Sequence, residues 1–407
     1  MAYPDLDLNV SNEGKAMLRE VIKFSMEVMR PAGIQLDRLP TPEEVIAPDS
    51  VLWQVLKGLR VLGLHTLQLP KALGGMAEDV DPLAAVMIME QLGYADAGLA
   101  VSMGVSFLPF IYAALFPIPE MQQLARDFCQ DKEGKMIGCW AATEPDRGTD
   151  WFLGGNQPKC GPTVKAVKKG DEYILNGEKS SWVSNGTIAT HALLHLGLDP
   201  SRGMQGQGLA IIPLDLPGIS RGKPLNKMGQ RALNQGSVIF EDVRIPKAYM
   251  VISNSDLINA TGGHGLSFVN GTMAIFFAGL AKAAFDEAFT YSKQRVQGGV
   301  PIFEHGAIKL KLMRMFTIME AARAYARRVA LYNAKNRFAP AVAHAVTAKC
   351  FSTETATTVA SEAMQIFGGY GLAKEFPIEK MFRDARASMI EDGVNDALAI
   401  KAAEFMG

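Results

Sequence analysis

The sequence has almost no excess charge of either sign. Its 407 residues include 41 Lys plus Arg and 42 Asp plus Glu, a net charge of −1. Binding to nucleic acid or to an acidic membrane surface requires a basic field, which this balance does not provide. We therefore expect no nucleic-acid partner. The absence of an apolar run of about 18 residues also predicts that no helix spans a membrane.

Targeting and covalent features are equally scarce. The N-terminus, MAYPDLDLNV, has no basic segment followed by an apolar stretch, so we expect no signal peptide. The sequence has only four cysteines, without metal-type spacing, and these predict reduced thiols in a cytoplasmic protein rather than a disulfide framework. They are Cys129, Cys139, Cys160 and Cys350.

Motifs of metal and nucleophile chemistry are also missing. The six histidines form no HExxH motif, and no GxSxG or Walker pattern is present. His191 and His195 are four residues apart, a spacing that suits a metal only on a helix, but they lie in a strand-like run. We therefore expect no metal site.

The composition and the hydrophobic periodicity of the chain change along its length. Residues 1–135 contain apolar residues at helical spacing, as in VLWQVLKGLRVLGLHTLQL, and an Asp-Pro helix start. Residues 136–250 are richer in glycine and short alternating runs, with a hairpin predicted at KKGDEYILNG. Residues 251–407 return to long helical patterns. The predicted fold class is α+β, with an N-terminal helical domain, a middle antiparallel β-domain and a C-terminal four-helix-type bundle.

Three short stretches could carry chemistry. AATEPDRGTDW (141–151) is a turn after a strand that exposes backbone N–H groups and threonine hydroxyls. GEKSSWVSNG (177–186) could place an aromatic wall and a hydroxyl beside a flat cofactor. In QIFGGYGLAKEFPIEKMFRDARASMIEDG (365–393), the GGYG glycines follow a helix and not a strand, which excludes a Rossmann motif. Taken alone, the first two stretches could equally be a surface turn and a hairpin with a half-buried tryptophan.

Taken in order, these stretches resemble the acyl-CoA dehydrogenase superfamily. The matching segments are AATEPDRGTD (141–150), KSSWVSNG (179–186), MGQR followed by VIFEDVRIP (228–246), and QIFGGYGLAKEFPIEKMFRDAR (365–386). The resemblance implies a homotetrameric flavoprotein that binds FAD and an acyl-CoA thioester. It also implies that a carboxylate removes the Cα proton, that hydride leaves Cβ for the flavin, and that an electron-transfer flavoprotein accepts the electrons.

The resemblance also implies individual site residues. Trp140, Ala142 and Thr143 match the strand that faces the flavin, and Thr149 matches a small hydroxyl residue near flavin and CoA. The other implied cofactor contacts are the Trp182 wall, the Ser184 hydroxyl that reaches N5, Arg295 at the diphosphate, and Gln365, Gly368 and Gly369 at the adenosine half. On the substrate side, Val101 and Gly104 match positions that face the acyl chain.

The resemblance places the base in MIEDGVNDAL, residues 389–398. Counting from Arg383 of RDAR, the base position is Asp392, where the common family residue is glutamate. Glu391 occupies the preceding position, which is often aromatic or aliphatic in the family, and becomes a substrate-side candidate. A carboxylate in an apolar cavity has the raised proton affinity that Cα proton abstraction requires.

Three interpretations of this segment stay open at the level of sequence. In one, Asp392 is the base for an unusual acyl group, branched, cyclic or longer. In another, a different carboxylate such as Asp96 or Glu391 serves an altered reaction, for example 1,4-dehydrogenation of a cyclic acyl-CoA. In the third, Asp392 only caps a helix near Val394, and the protein is an oxygenase-like or desulfinase-like relative or a non-catalytic one.

Overall fold

The first part of the chain folds into helices, as the apolar spacing predicts. The computed structural model describes residues 3–7, 9–155 and 157–406. Asp81 starts α5 by accepting a hydrogen bond from the Leu83 N–H at 2.9 Å, which confirms the predicted Asp-Pro helix start. The helices before the sheet are α1 (Asn12–Phe24), α2 (Arg30–Arg38), α3 (Pro42–Val45), α4 (Val51–Val61), α5 (Pro82–Ala95), α6 (Ala97–Leu115) and α7 (Pro119–Gln130).

A seven-stranded sheet forms the middle of the molecule. Its strands are β1 (Gly138–Ala141), β2 (Lys165–Lys169), β3 (Glu172–Lys179), β4 (His191–Gly197), β5 (Gln207–Pro213), β6 (Ile219–Arg221) and β7 (Val238–Pro246), with the short helix α8 (Asp150–Leu153) after β1. The predicted hairpin is confirmed as β2–β3, with Gly170 at φ 65° in its turn. The neighbouring pairs β3–β7, β4–β5 and β6–β7 are antiparallel too, whereas β1 runs parallel to β4, so the sheet is mixed.

Three long helices carry the C-terminal part. These are α9 (Ser255–Gln294), α10 (Gly306–Lys335) and α11 (Val342–Phe367), followed by α12 (Ile378–Ser388) and α13 (Asn395–Ala403). The short strands β8 (Val296–Gln297) and β9 (Val300–Pro301) pair in the connection between α9 and α10. The α+β class with its three parts is confirmed, whereas the exact domain bounds stay a prediction.

Within the described part of the chain, two helices, α6 and α9, are long and apolar enough to cross a membrane by length and composition. Their most apolar windows are 72% and 83% buried inside the protein. Phe276, Phe277 and Phe285 of α9 are at most 1% exposed. Burial of this degree is typical of helices at the centre of a packed core.

Candidate active site

The segment between α12 and α13 forms a tight loop with an unusual backbone. Asp392 has φ 51° and Gly393 has φ 113°, so two consecutive residues lie in the left-handed region. An aspartate there is strained, and such strain is held only where the surroundings fix it. The N-cap residue of α13 is Val394, and no side chain caps this helix. The interpretation of Asp392 as a helix cap is therefore wrong.

The Asp392 carboxyl group is half-buried and receives no hydrogen bond from any residue that the structure describes. Burial raises the pKa of Asp392 to about 6, and the charge of Lys349 on α11 acts in the opposite direction. A carboxylate with a raised pKa and unused acceptor oxygens is suited to take a proton.

Glu391 faces a different partner. Its Oε2 accepts a hydrogen bond from Gln230 Nε2 at 2.6 Å. Burial raises the pKa of Glu391 to about 7, and the nearby charge of Lys227 lowers it again. Gln230 also hydrogen-bonds to Asp384 of α12 through both its backbone and its side chain. The MGQR segment therefore packs directly under the loop that carries Asp392.

The same segment continues to the cofactor hairpin. Gln235 Nε2 donates to Ser184 Oγ at 3.1 Å and to the Trp182 carbonyl at 3.2 Å. Lys227 Nζ donates to Gln235 Oε1 at 2.8 Å. Residues 227–235 therefore connect the two sequence motifs that the resemblance assigns to the flavin and to the base.

Asn185 fixes the hairpin in place. It is fully buried, has φ 61°, and donates through Nδ2 to the carbonyls of Ser102 on α6 and Gly138 on β1. Its Oδ1 accepts from the Ser102 hydroxyl at 2.8 Å. The Trp182–Ser184 turn is thereby held at a fixed position relative to the helix that the sequence assigns to the acyl pocket.

The end of β1 is joined to the same hairpin. The Thr143 carbonyl accepts from the Ser180 N–H at 2.9 Å, and the Ala142 carbonyl accepts from Lys179 Nζ at 2.8 Å. The predicted cofactor residues on both segments are therefore close together. The ring of Trp182 is 60% exposed and thus available as a wall for a flat ligand.

A second group of predicted cofactor residues lies on the surface at the end of α11. Gln365, Gly368 and Gly369 are exposed, and the Arg295 guanidinium lies 5.8 Å from the ring centre of Tyr370. Arg295 and the GGYG turn are therefore neighbours, as a diphosphate and adenosine site would require.

These two groups fit FAD. A Cβ built at Gly368 or Gly369 would meet no atom within 4 Å, which leaves room for a ligand against the backbone. In the β-domain, the buried indole Nε1 atoms of Trp140 and Trp151 have no hydrogen-bond partner among the described residues. Thr149 is exposed at the start of α8, and its hydroxyl does not cap that helix.

Asp96 does not fit the role of base. It is 4% exposed; its Oδ1 caps α6 through the Leu99 N–H at 2.9 Å, and its Oδ2 pairs with Lys380 at 2.6 Å. Both oxygens are engaged in holding α6 to α12. The geometry therefore argues against the alternative that gave Asp96 the chemistry.

The predicted acyl-pocket residues lie in tightly packed surroundings. Val101 is 4% exposed within the main core, and a Cβ at Gly104 would lie 3.2 Å from the Phe276 ring on α9. Gly104 thus allows close packing of α6 on α9. The contact of Val101 and Gly104 with an acyl chain stays a prediction. In the described ranges, no cluster of three or more His, Cys, Asp or Glu side chains could hold a metal ion.

The sequence patterns missed several residues that organise this site. Gln230 belongs to the MGQR segment, Gln235 lies between MGQR and VIFEDVRIP, and no single-residue signal marks either of them. Lys349 had a detectable signal, since it is a lone lysine at apolar helical spacing between buried Ala345 and Ser352.

Comparison with known proteins gives the family of the chain. Family models of the acyl-CoA dehydrogenase N-terminal, middle and C-terminal domains match residues 11–114, 139–243 and 264–407. The chain belongs to the acyl-CoA dehydrogenase family. It is an FAD-dependent oxidoreductase.

Individual relatives cover nearly the whole chain. A probable acyl-CoA dehydrogenase of Bacillus subtilis (strain 168) is 32% identical over 393 residues, 93% of this chain and 94% of that protein. A cyclohex-1-ene-1-carbonyl-CoA dehydrogenase of Syntrophus aciditrophicus (strain SB) is 27% identical and covers 95% of this chain and 88% of its own length. The structure of butyryl-CoA dehydrogenase from Megasphaera elsdenii has a TM-score of 0.86 and 26% identity, covering 98% of this chain and 100% of that one.

Proposed function

We propose that Asp392 is the catalytic base of an acyl-CoA dehydrogenase and removes the Cα proton of an acyl-CoA thioester. The observation that supports this most strongly is the state of its carboxyl group. It is half-buried, receives no hydrogen bond from the described residues, and has a pKa raised to about 6 by burial. At neutral pH it is mostly ionised and still basic enough to accept a proton.

The chain's own residues account for the proton side of the reaction. The left-handed backbone at Asp392 and Gly393 sets the direction in which the carboxylate leaves the loop. The Gln230 hydrogen bond engages one oxygen of Glu391, whereas Asp392 has no such partner among the described residues. Asp392 takes the Cα proton and holds it until the product leaves, because its partly dehydrated site favours the neutral acid.

FAD, when bound, supplies the acceptor for the hydride that leaves Cβ. Trp140, Ala142, Thr143, Thr149, Trp182 and Ser184 would hold its flavin half. Arg295, Gln365, Gly368 and Gly369 would hold the diphosphate and adenosine half from a neighbouring subunit. FAD binding would then depend on dimer formation within a homotetramer, a dimer of dimers. We place the enzyme in the cytoplasm, with an electron-transfer flavoprotein as electron acceptor.

The acyl group is expected to be unusual, with a cyclic or branched chain as the leading class. Aspartate reaches about 1.5 Å less far than glutamate, so the substrate carbon must lie closer to the loop. The similarity to a cyclohex-1-ene-1-carbonyl-CoA dehydrogenase favours a ring-bearing acyl group. A 1,4-dehydrogenation of such a ring is the second candidate, favoured by the same similarity.

An anaerobic screen of acyl-CoA thioesters tests this function. The purified yellow holoenzyme is mixed with short straight, branched, cyclohexane-type and long acyl-CoAs, and flavin bleaching and product mass are recorded. We expect bleaching with loss of two hydrogens from one substrate class, and electron transfer to an added electron-transfer flavoprotein. Oxygen consumption or release of a small anion without an enoyl-CoA product would contradict the proposal.

A further inference from the structure

A buried lysine lies directly behind the loop that carries Asp392. Lys349 of α11 is 0% exposed, and its Nζ donates to the Gly393 carbonyl and to Asn395 Oδ1, both at 2.8 Å. Gly393 follows Asp392 in the chain, and Asn395 is the first residue of α13. One ammonium group therefore holds both the peptide after Asp392 and the start of the next helix.

Asn395 extends this clamp further along α11. Its Nδ2 donates to Thr353 Oγ1 at 3.1 Å, to Glu354 Oε1 at 3.2 Å and to the Cys350 carbonyl at 3.4 Å. No side chain caps α13, and these hydrogen bonds from Asn395 attach the first turn of the helix to α11. Hydrogen bonds from α11 to the residues that follow Asp392 thus fix the left-handed backbone of the loop.

The charge of Lys349 has no close counter-ion. Of the described residues, none places a carboxylate oxygen within 4.0 Å of its Nζ. Burial lowers the pKa of Lys349, and the charge of Asp392 is the largest influence that raises it again. Cys350, Glu391 and Glu354 also face this ammonium and act in the same direction.

The influence is mutual. Burial raises the pKa of Asp392, and the charge that opposes this effect comes from Lys349. Glu391, the other acid on the loop, is opposed mainly by Lys227, with Lys349 as a weaker contributor. The pKa values of the two acids on the loop are therefore lowered mainly by different lysines: that of Glu391 by Lys227, and that of Asp392 by Lys349 on α11.

We propose that Lys349 is a positioning residue for Asp392, which holds its loop through the Gly393 carbonyl and Asn395 and places a buried ammonium group behind it. This inference rests on the proposed role of Asp392 as base. Lys349 acts through the loop and through its field, and it makes no contact with the substrate in this account.

The test measures the protonation of Asp392 directly rather than through turnover. Infrared difference spectra of the holoenzyme, with Asp392→Asn as the reference that assigns the band, give the titration midpoint of this carboxyl group. We expect a midpoint of about 6 in the wild type. Lys349→Gln keeps a hydrogen-bond donor without the charge and should raise the midpoint by about 1 unit or more.

Two further variants separate charge from structure. Lys349→Arg keeps the charge, so the midpoint should stay within about 0.5 unit of the wild type while flavin reduction slows because the loop shifts. Asn395→Asp leaves Lys349 in place but pairs it with a new carboxylate, and should raise the midpoint as Lys349→Gln does. Lys282→Gln removes a buried lysine of α9 that pairs with Asp286 and should leave the midpoint unchanged.

The outcomes distinguish this inference from the proposed function. An unchanged midpoint in Lys349→Gln protein that retains FAD overturns the role of Lys349. If Lys349→Gln does not fold, an unchanged midpoint in Asn395→Asp overturns it. Normal turnover by Asp392→Asn overturns the base assignment instead. A raised midpoint in both variants, with the Arg and Lys282 variants near the wild type, supports the positioning role.

Discussion

Lengthening the acid at position 392 by one methylene tests why this loop carries an aspartate. In Asp392→Glu the carboxylate moves about 1.5 Å along the direction set by the backbone. The loop cannot easily retract, because Lys349 holds the Gly393 carbonyl at 2.8 Å and residue 392 already has φ 51°. The new carboxylate should therefore crowd the substrate carbon that the shorter acid reaches.

The size of the effect follows from the geometry of proton transfer. Reacting atoms must lie within about 3–3.5 Å, and a misplacement of 1 Å costs about 10²-fold in rate. We expect Asp392→Glu to reduce the rate of flavin reduction by about 10²-fold with the best substrate, equivalent to about 2.7 kcal/mol of activation free energy. Thermal unfolding and the flavin spectrum should be those of the wild type.

The assay is anaerobic stopped-flow reduction of the flavin by the acyl-CoA found in the substrate screen. Asp396→Glu is the matched control, because Asp396 is an exposed acid four residues further along, on α13. It should react at the wild-type rate. A rate for Asp392→Glu equal to or above the wild type would show that the substrate is not placed for the shorter acid.

Further predictions concern proton balance, cofactor and fold. Because the pKa of Asp392 is raised to about 6, its carboxyl group is protonated below that pH and cannot act as a base. Flavin reduction should therefore accelerate as pH rises through 6, and a flat profile between pH 5 and 8 would contradict this. Gln235→Leu removes the donor to Ser184 Oγ and should weaken FAD binding about tenfold by equilibrium titration; unchanged affinity would remove Gln235 from the cofactor site. Lys380→Met leaves two buried carboxylates without their cation and should lower the free energy of unfolding by about 3–5 kcal/mol in urea. Lys401→Met, which breaks an exposed pair, should change it by less than about 1 kcal/mol, and similar losses in both would refute the reasoning.

Local patterns predicted much of the fold. Apolar spacing and the Asp-Pro signal located α5, and KKGD located the β2–β3 hairpin, because both features depend on residues close in sequence. The parallel pairing of β1 with β4 joins Gly138 to His191 and depends on chain folding between them. No local pattern encodes such a pairing, so the middle domain was predicted as antiparallel throughout.

For the candidate site too, the sequence predicted some features, and others became visible only in the structure. Position relative to RDAR was enough to select Asp392, whereas the capping alternative could be excluded only from the loop backbone and the Val394 cap position. Asp96 looked like an available acid in the sequence, because its pairing with Lys380 spans 284 positions. The contacts of Gln230 and Lys349 with the loop span 161 and 44 positions, so no local motif could show them.

The most direct test of the account is flavin reduction by Asp392→Asn. This substitution keeps the size of the side chain and removes its ability to accept a proton. The holoenzyme should bind FAD and acyl-CoA as the wild type does, while the rate of anaerobic bleaching falls by about 10²–10⁴-fold. Bleaching at the wild-type rate, with the same enoyl-CoA product, would show that another group removes the proton.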